Sequence, residues 1–286
     1  MTLSLGGDLA IDRLGYGAMR LTHRGWGPPA DLEAARETLR TLSAVGVTFV
    51  DTSNAYGPFV SELLIREVLH PYRDLVIATK GGILRPGPTQ WVRDGRPEAL
   101  RAAVLGSLKV LGVERLDLWQ LHDIDPAVPL DEQFAAIAAM QREGLIRHVG
   151  LSNATVAQVD AAGAHFRVAS VQCVYNVIDR THDDVLARCE RDGIPFIAYY
   201  PLATGALAAP DSILARIAGE LGITAAQAAL AWLLKRSKVI VAIPGTSQPA
   251  HLRENAAAAR IVLTDEQFAA IDRIGRRAAM LRQPRT

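Results

Sequence analysis

Three ionisable side chains close apolar runs in the first half of the chain. They are Asp51, Lys80 and His122, and Tyr56 stands five residues beyond the first. Asp51 ends Val47-Thr48-Phe49-Val50, a β-branched and aromatic stretch of the kind that forms a buried strand. The turn residues Thr52-Ser53-Asn54-Ala55 then lead to Tyr56. Taken singly, each has an ordinary structural use: a carboxylate caps a turn, a terminal lysine is solvated, a lone histidine is satisfied in place. Taken together they suit proton transfer to a carbonyl. A tyrosine is too weak an acid to protonate much at neutral pH. A nearby ammonium favours its phenolate and lowers its pKa, and a buried carboxylate would hold that ammonium in place and charged. A histidine alongside can orient the substrate oxygen. None of the four can give a hydride, so a reduction would need a nicotinamide cofactor.

Such a constellation needs a scaffold that aligns several strand ends. Strand-like runs at 14–19, 47–51, 75–80, 116–122, 146–152, 171–175, 195–199 and 239–243 alternate with segments of helical spacing. Helices are expected at 32–42, 61–69, 97–111 and 130–142, after Thr155, from Asp183, near Asp211, from Thr224 and over 249–259. Pro97 opens one and Gly112 closes it, and Thr224 with Gln227 forms a capping box. Strands apolar almost throughout describe a parallel sheet buried on both faces. A single α/β domain over 1–286, a (β/α)8 TIM barrel, is the economical solution, with a doubly wound open sheet as the alternative. A hairpin around Gly6-Gly7-Asp8 precedes the barrel, and an extra C-terminal helix starts at the capping pair Thr264 and Gln267. The loops at 21–30, 81–96 and 201–210 are long, and all would leave the barrel's C-terminal face, rimmed by Trp26, Trp91 and Leu202.

Composition sets outer bounds. The chain has 286 residues, 49% of them hydrophobic, and a formal charge of +1. That balance, without a basic block, gives no footprint for nucleic acid or an anionic membrane. Two cysteines, Cys173 and Cys189, suit a reducing compartment. The first residues lack the pattern of a signal peptide, so a cytoplasmic location is expected.

Further motifs make the reading specific. Asp51-x-x-x-x-Tyr56, Lys80 after its apolar strand and His122 after Leu-Trp-Gln-Leu resemble the catalytic tetrad of the aldo-keto reductase superfamily. The likeness extends over almost the whole chain. It takes in Arg13-Leu14-Gly15-Tyr16-Gly17-Ala18-Met19, Gly150-Leu151-Ser152-Asn153, Gln172 and Tyr199-Tyr200-Pro201-Leu202. It continues through Ile243-Pro244-Gly245-Thr246-Ser247 and His251-Leu252-Arg253-Glu254-Asn255. The Gly-Pro-Pro loop, the Asp-Thr-Ser turn and the Pro-Gly-Thr-Ser stretch are similar to the bacterial pyridoxal reductase type.

The resemblance implies an oxidoreductase in which Tyr56 is the general acid, Lys80 lowers its pKa, Asp51 pairs with Lys80 and His122 binds the carbonyl oxygen. Ser152, Asn153 and Gln172 would hold the nicotinamide carboxamide, and Tyr199 would stack on the ring. Gly17, Ala18, Met19 and Asp51 would line the cofactor's path, with Tyr200 and Pro201. Its phosphates would meet Leu202, Thr204 and Gly205. The adenosine end would meet Pro244, Gly245, Thr246, Ser247, His251, Glu254 and Asn255. Many members clamp the 2′-phosphate with a lysine and an arginine, and here Gly245 and His251 stand in those places. The subgroup resemblance still implies NADPH as the cofactor, with tolerance of NADH as the consequence of the missing clamp.

For the substrate, Trp26, Phe59 and Trp91, with Tyr200, could form an aromatic wall beside Tyr56 and His122. The short C-terminal tail after Gly275 suggests an open site. Pyridoxal is the substrate the subgroup suggests; the ketone of a sugar or secondary metabolite is the alternative. Three other readings compete: an NADPH-binding sensor or subunit without turnover, an aldolase forming a Schiff base on Lys80, and a metal hydrolase around His122, Asp123 and Asp125. The last is weakest, because no second histidine completes a ligand set, so no metal is expected. Oligomeric state is not legible.

Overall fold

The structure, a computed structural model, describes residues 2–203 and 213–282. Thr204 and Gly205 fall outside the described residues. The chain opens with an antiparallel hairpin, β1 (Thr2–Leu5) and β2 (Leu9–Asp12). The barrel strands begin with β3 (Tyr16–Gly17), β4 (Phe49–Asp51) and β5 (Val76–Gly81). A small antiparallel pair, β6 (Ile83–Leu84) and β7 (Val92–Arg93), interrupts the series. It resumes with β8 (Leu116–Leu121), β9 (Ile146–Ser152), β10 (Val168–Val174), β11 (Phe196–Tyr199) and β12 (Ile240–Ala242).

Eight strands form one parallel sheet in the order β3, β4, β5, β8, β9, β10, β11, β12. Its two edges meet through a parallel bridge from Leu14 to Ala242, with Gly15 N donating to Ala242 O at 2.9 Å and Ala242 N to Arg13 O at 2.9 Å. Closure of this kind leaves no open sheet edge. Arg13 reinforces the seam, its buried guanidinium donating to the carbonyls of Ile240, Leu234 and Ser237.

The helices cover the outside: α1 (Leu32–Ala44), α2 (Val60–Leu69), α3 (Pro97–Leu111), α4 (Leu130–Arg142), α5 (Val156–Ala162) and α6 (Asp183–Asp192). They continue with α7 (Ile213–Leu221), α8 (Ala225–Arg236), α9 (Pro249–Ala257) and α10 (Asp265–Arg282). The capping boxes at Thr155 and Thr224 form as their sequences dictate, and Gly112 closes α3 at φ 72°. No single helix among the described residues is long and apolar enough to cross a membrane.

Period-two alternation sorts the strands into two cores. Outward residues such as Val50, Trp119, Leu151 and Phe196 pack under the helices. Inward residues Phe49, Ala78, Leu118, Ile197 and Val241 fill the barrel, and Leu5 and Ile11 of the hairpin join that inner cluster. The hairpin is therefore an apolar plug. Above the apolar layer the same alternation turns Asp51, Lys80, Gln120 and Gln172 inward.

Some boundaries differ from those read in the sequence. The first strand shrinks to two residues because Ala18–Leu21 winds into a 3-10 turn. β10 starts at Val168, with a register shift before Ser170 that its composition does not signal. The long connection after β5 contains the β6–β7 pair, which depends on cross-strand bonding that periodicity does not report.

Candidate active site

Asp51 ends β4, and the backbone then rises through Thr52-Ser53-Asn54 to Tyr56. Lys80 sits one strand over, near the end of β5, and His122 just beyond β8. The Lys80 ammonium donates to Asp51 Oδ2 at 2.5 Å, to the Thr52 carbonyl at 2.9 Å and to the Tyr56 hydroxyl at 3.3 Å. The other carboxylate oxygen of Asp51 accepts from Gln172 Nε2 at 2.8 Å and Gln120 Nε2 at 3.1 Å. A buried charge pair needs its remaining lone pairs satisfied, and the two amides do that. The His122 ring stands edge-on to Tyr56, centroids 5.9 Å apart, with Nδ1 3.2 Å from Ser53 Oγ. Nε2 of His122 has no partner among the described residues.

Burial works against the Lys80 ammonium, but the Asp51 carboxylate and the Tyr56 oxygen outweigh it and raise its pKa above the ordinary lysine value. It is charged. Burial also pushes the Tyr56 phenol up; Lys80 pulls it back, while Asp51 adds to the rise. The pull from Lys80 has the expected sign, yet burial wins, so the phenol keeps its proton at neutral pH. His122 is held well below the ordinary histidine value by burial and by the charges of Lys80 and Arg85. Its ring is neutral at pH 7.

Asp51, Tyr56, His122 and Gln172 form the floor of a cavity of about 710 Å³ at the barrel mouth, with Lys80 buried beneath it. Met19, Trp91, Ser152, Asn153, Tyr199, Tyr200, Pro201 and Leu202 line it, as do Pro244, Gly245 and His251. Asn153 takes a left-handed conformation (φ 57°), its N–H bonded to the Gln172 carbonyl, and its side chain accepts from the Tyr199 hydroxyl at 2.9 Å. That bond fixes the Tyr199 ring against the cavity.

Other residues expected at the site do not line this cavity. Phe59 packs against α3 at Gly106 and does not line the cavity; a left-handed backbone (φ 61°) at the start of α2 turns it outward. Trp26 stands behind Trp91, with the Arg85 guanidinium 5.4 Å from its ring and 3.6 Å from that of Trp91. Ala18 is fully buried, accepting from Ser61 Oγ. The Glu254 carboxylate accepts from Thr224 Oγ1 at 2.6 Å, which ties it to the start of α8, and Asn255 is buried below the rim. Thr246 offers its carbonyl to the Tyr16 hydroxyl, and Ser247 is half-buried outside the cavity. Asp123 pairs with Arg93, and among the described residues no cluster of His, Cys, Asp or Glu is placed to hold a metal ion.

The aldo/keto reductase family model matches residues 13–276. The chain belongs to the aldo/keto reductase family. This aldo/keto reductase is 50% identical over 278 residues to an uncharacterised oxidoreductase of Schizosaccharomyces pombe, covering 97% of this chain and 91% of that protein. It is 41% identical over 278 residues to pyridoxine 4-dehydrogenase of Escherichia coli, covering 94% and 97%. The crystal structure of a Klebsiella pneumoniae aldo/keto reductase in complex with NADP and acetate matches with a TM-score of 0.82 at 29% identity, over 96% of this chain and 94% of that one. The chain is an NAD(P)H-dependent oxidoreductase of carbonyl compounds with the family's (β/α)8 fold.

The cavity of this aldo/keto reductase suits a nicotinamide. Ser152 Oγ and the side-chain oxygen Oε1 of Gln172 are nearly buried, yet neither bonds to a described residue. A carboxamide both donates and accepts, so these two atoms with Asn153 match its needs. Sequence reasoning missed Ser53, Gln120, Arg85 and Arg20. Gln120 carried a usable signal, being the inward-facing polar residue two places before His122 in an apolar strand.

Proposed function

We propose that the chain reduces an aldehyde to the alcohol with NADPH, that pyridoxal is its substrate, and that Tyr56 is the general acid. The observation that carries this is the Tyr56 hydroxyl, 3.3 Å from a charged Lys80, on the floor of the cavity shared with His122. Bound NADPH supplies a hydride to the carbonyl carbon. Neutral His122 orients the carbonyl oxygen; with Ser53 donating to Nδ1, its Nε2 carries the proton that reaches that oxygen. Tyr56 delivers its phenolic proton to the developing alkoxide, and Lys80 stabilises the phenolate left behind. Asp51, held by Gln120 and Gln172, keeps Lys80 charged. The 41% identity to a pyridoxine 4-dehydrogenase supports pyridoxal, and Trp91 supplies a flat face for its ring.

The test is loss of NADPH absorbance with an aldehyde panel that includes pyridoxal and ketoses, in the wild type and in Tyr56→Phe. The variant is expected to lose about 10²–10⁴-fold in kcat while binding NADPH as before. Turnover of ketoses but not pyridoxal would replace the substrate. NADPH binding without any turnover would replace the enzyme with a sensor.

A further inference from the structure

Arg20 follows β3 in the 3-10 turn Ala18–Leu21, and its side chain is exposed. It lines the cavity, yet it makes no hydrogen bond or ion pair with any described residue. Arg85, the cation stacked on Trp91, is by contrast engaged by the carbonyls of Gly25, Ala55 and Pro88. Arg20 is thus a charge in the cavity wall with no protein partner among the described residues.

Its position is tied to Gly245. A Cβ on residue 245 would stand 2.8 Å from the Gly17 carbonyl oxygen and 3.2 Å from Arg20 Cγ. In return, a Cβ on residue 17 would stand 2.7 Å from the Ile243 carbonyl oxygen. The two glycines let the segments after the first and last barrel strands lie backbone against backbone. Gly17 N donates to the Pro244 carbonyl at 3.3 Å, and the Tyr16 hydroxyl to the Thr246 carbonyl at 2.5 Å. Position 245 therefore has no room for a side chain of its own, and the stem of Arg20 lies where one would start. The charge at this corner of the cavity comes from the other loop. α9 starts a few residues later, at Pro249, and a helix N-terminus carries backbone N–H groups without intrahelical partners.

We propose that Arg20 binds the 2′-phosphate of NADPH, taking the place of a cation at position 245, and sets the preference for NADPH over NADH. A guanidinium can hold a phosphate through two parallel hydrogen bonds, and NADH has no phosphate at that position. The proposal rests on the cofactor lying in this cavity and is independent of the carbonyl substrate.

Titration of the wild type, Arg20→Ala and Arg20→Lys with NADPH, NADH and 2′,5′-ADP, read by protein fluorescence or calorimetry, tests it. Arg20→Ala is expected to weaken NADPH and 2′,5′-ADP by about tenfold or more and NADH by less than about twofold. Arg20→Lys should fall between. The melting temperature should not change, because Arg20 makes no polar contact with the described residues. Equal losses for NADPH and NADH would place the side chain at the pyrophosphate and overturn the proposal, as would no loss for either. A wild type that binds neither nicotinamide would overturn the cofactor site itself, and the proposal with it.

Discussion

Lys80 and Asp51 meet at 2.5 Å from adjacent strands, 0% and 2% exposed. Removing one member of so buried a pair leaves the other charge stranded, a loss of about 3–5 kcal/mol. Asp51→Ala should therefore lower the unfolding free energy measured in urea by that order. Adding Lys80→Met to it should cost much less than the sum of the two single changes, because the stranded ammonium is gone.

Ser53→Ala removes the hydroxyl that faces His122 Nδ1 while leaving the cofactor's residues intact. The imidazole then loses the bond that selects its tautomer. A fall in kcat/KM of about tenfold is expected, with the NADPH Kd unchanged. Steady-state kinetics beside a binding titration separates the two.

Glu62 lies on α2 outside the barrel wall, fully buried, accepting from Thr79 Oγ1 at 2.5 Å while its second oxygen has no partner among the described residues. Burial pushes its pKa up to about 7, against the pull of the Thr79 hydroxyl. A pKa raised on folding means that the folded chain binds the extra proton. Stability from this group is complete below the unfolded value near 4.5 and falls as pH rises to about 7, by roughly 3 kcal/mol. Glu62→Gln should flatten that fall when melting is measured from pH 4 to 8.

Trp91 stands edge-on to His122, centroids 6.0 Å apart, with Arg85 stacked on its ring. Trp91→Ala is expected to raise KM for aromatic aldehydes several-fold to about tenfold with little change in kcat. Arg85→Ala should move KM the same way, since it frees the ring from its support. A change confined to kcat would contradict this account.

Much of this architecture was legible because strand ends are punctuated by chemistry. Asp51, Lys80 and His122 each close an apolar run, and alternation alone turns them to one interior. Thr224 and Thr264 announced their helices through capping pairs that form as written. What escaped depends on contacts between distant segments. Ser53 looks like a turn residue until a histidine 69 positions away is folded against it. Arg20 resembles any surface arginine until the loop at Gly245 is laid beside it. Phe59 read as part of an aromatic wall, but its left-handed backbone turns it to the helical layer at Gly106. Glu254 lay in a cofactor-like stretch, and the start of α8 takes up its carboxylate.

The barrel's seam runs between its first and last strands, where the sheet is thinnest: two residues of β3 and a single bridge at Leu14. The cavity straddles that seam, with Gly17, Met19 and Arg20 on one bank and Pro244, Gly245 and His251 on the other. A dinucleotide laid across it would act as a clasp that fastens the beginning of the chain to its end. Occupancy would then be felt as resistance to unzipping. Amide exchange should slow most at residues 14–20 and 240–246, far in sequence from one another and from the tyrosine that moves the proton.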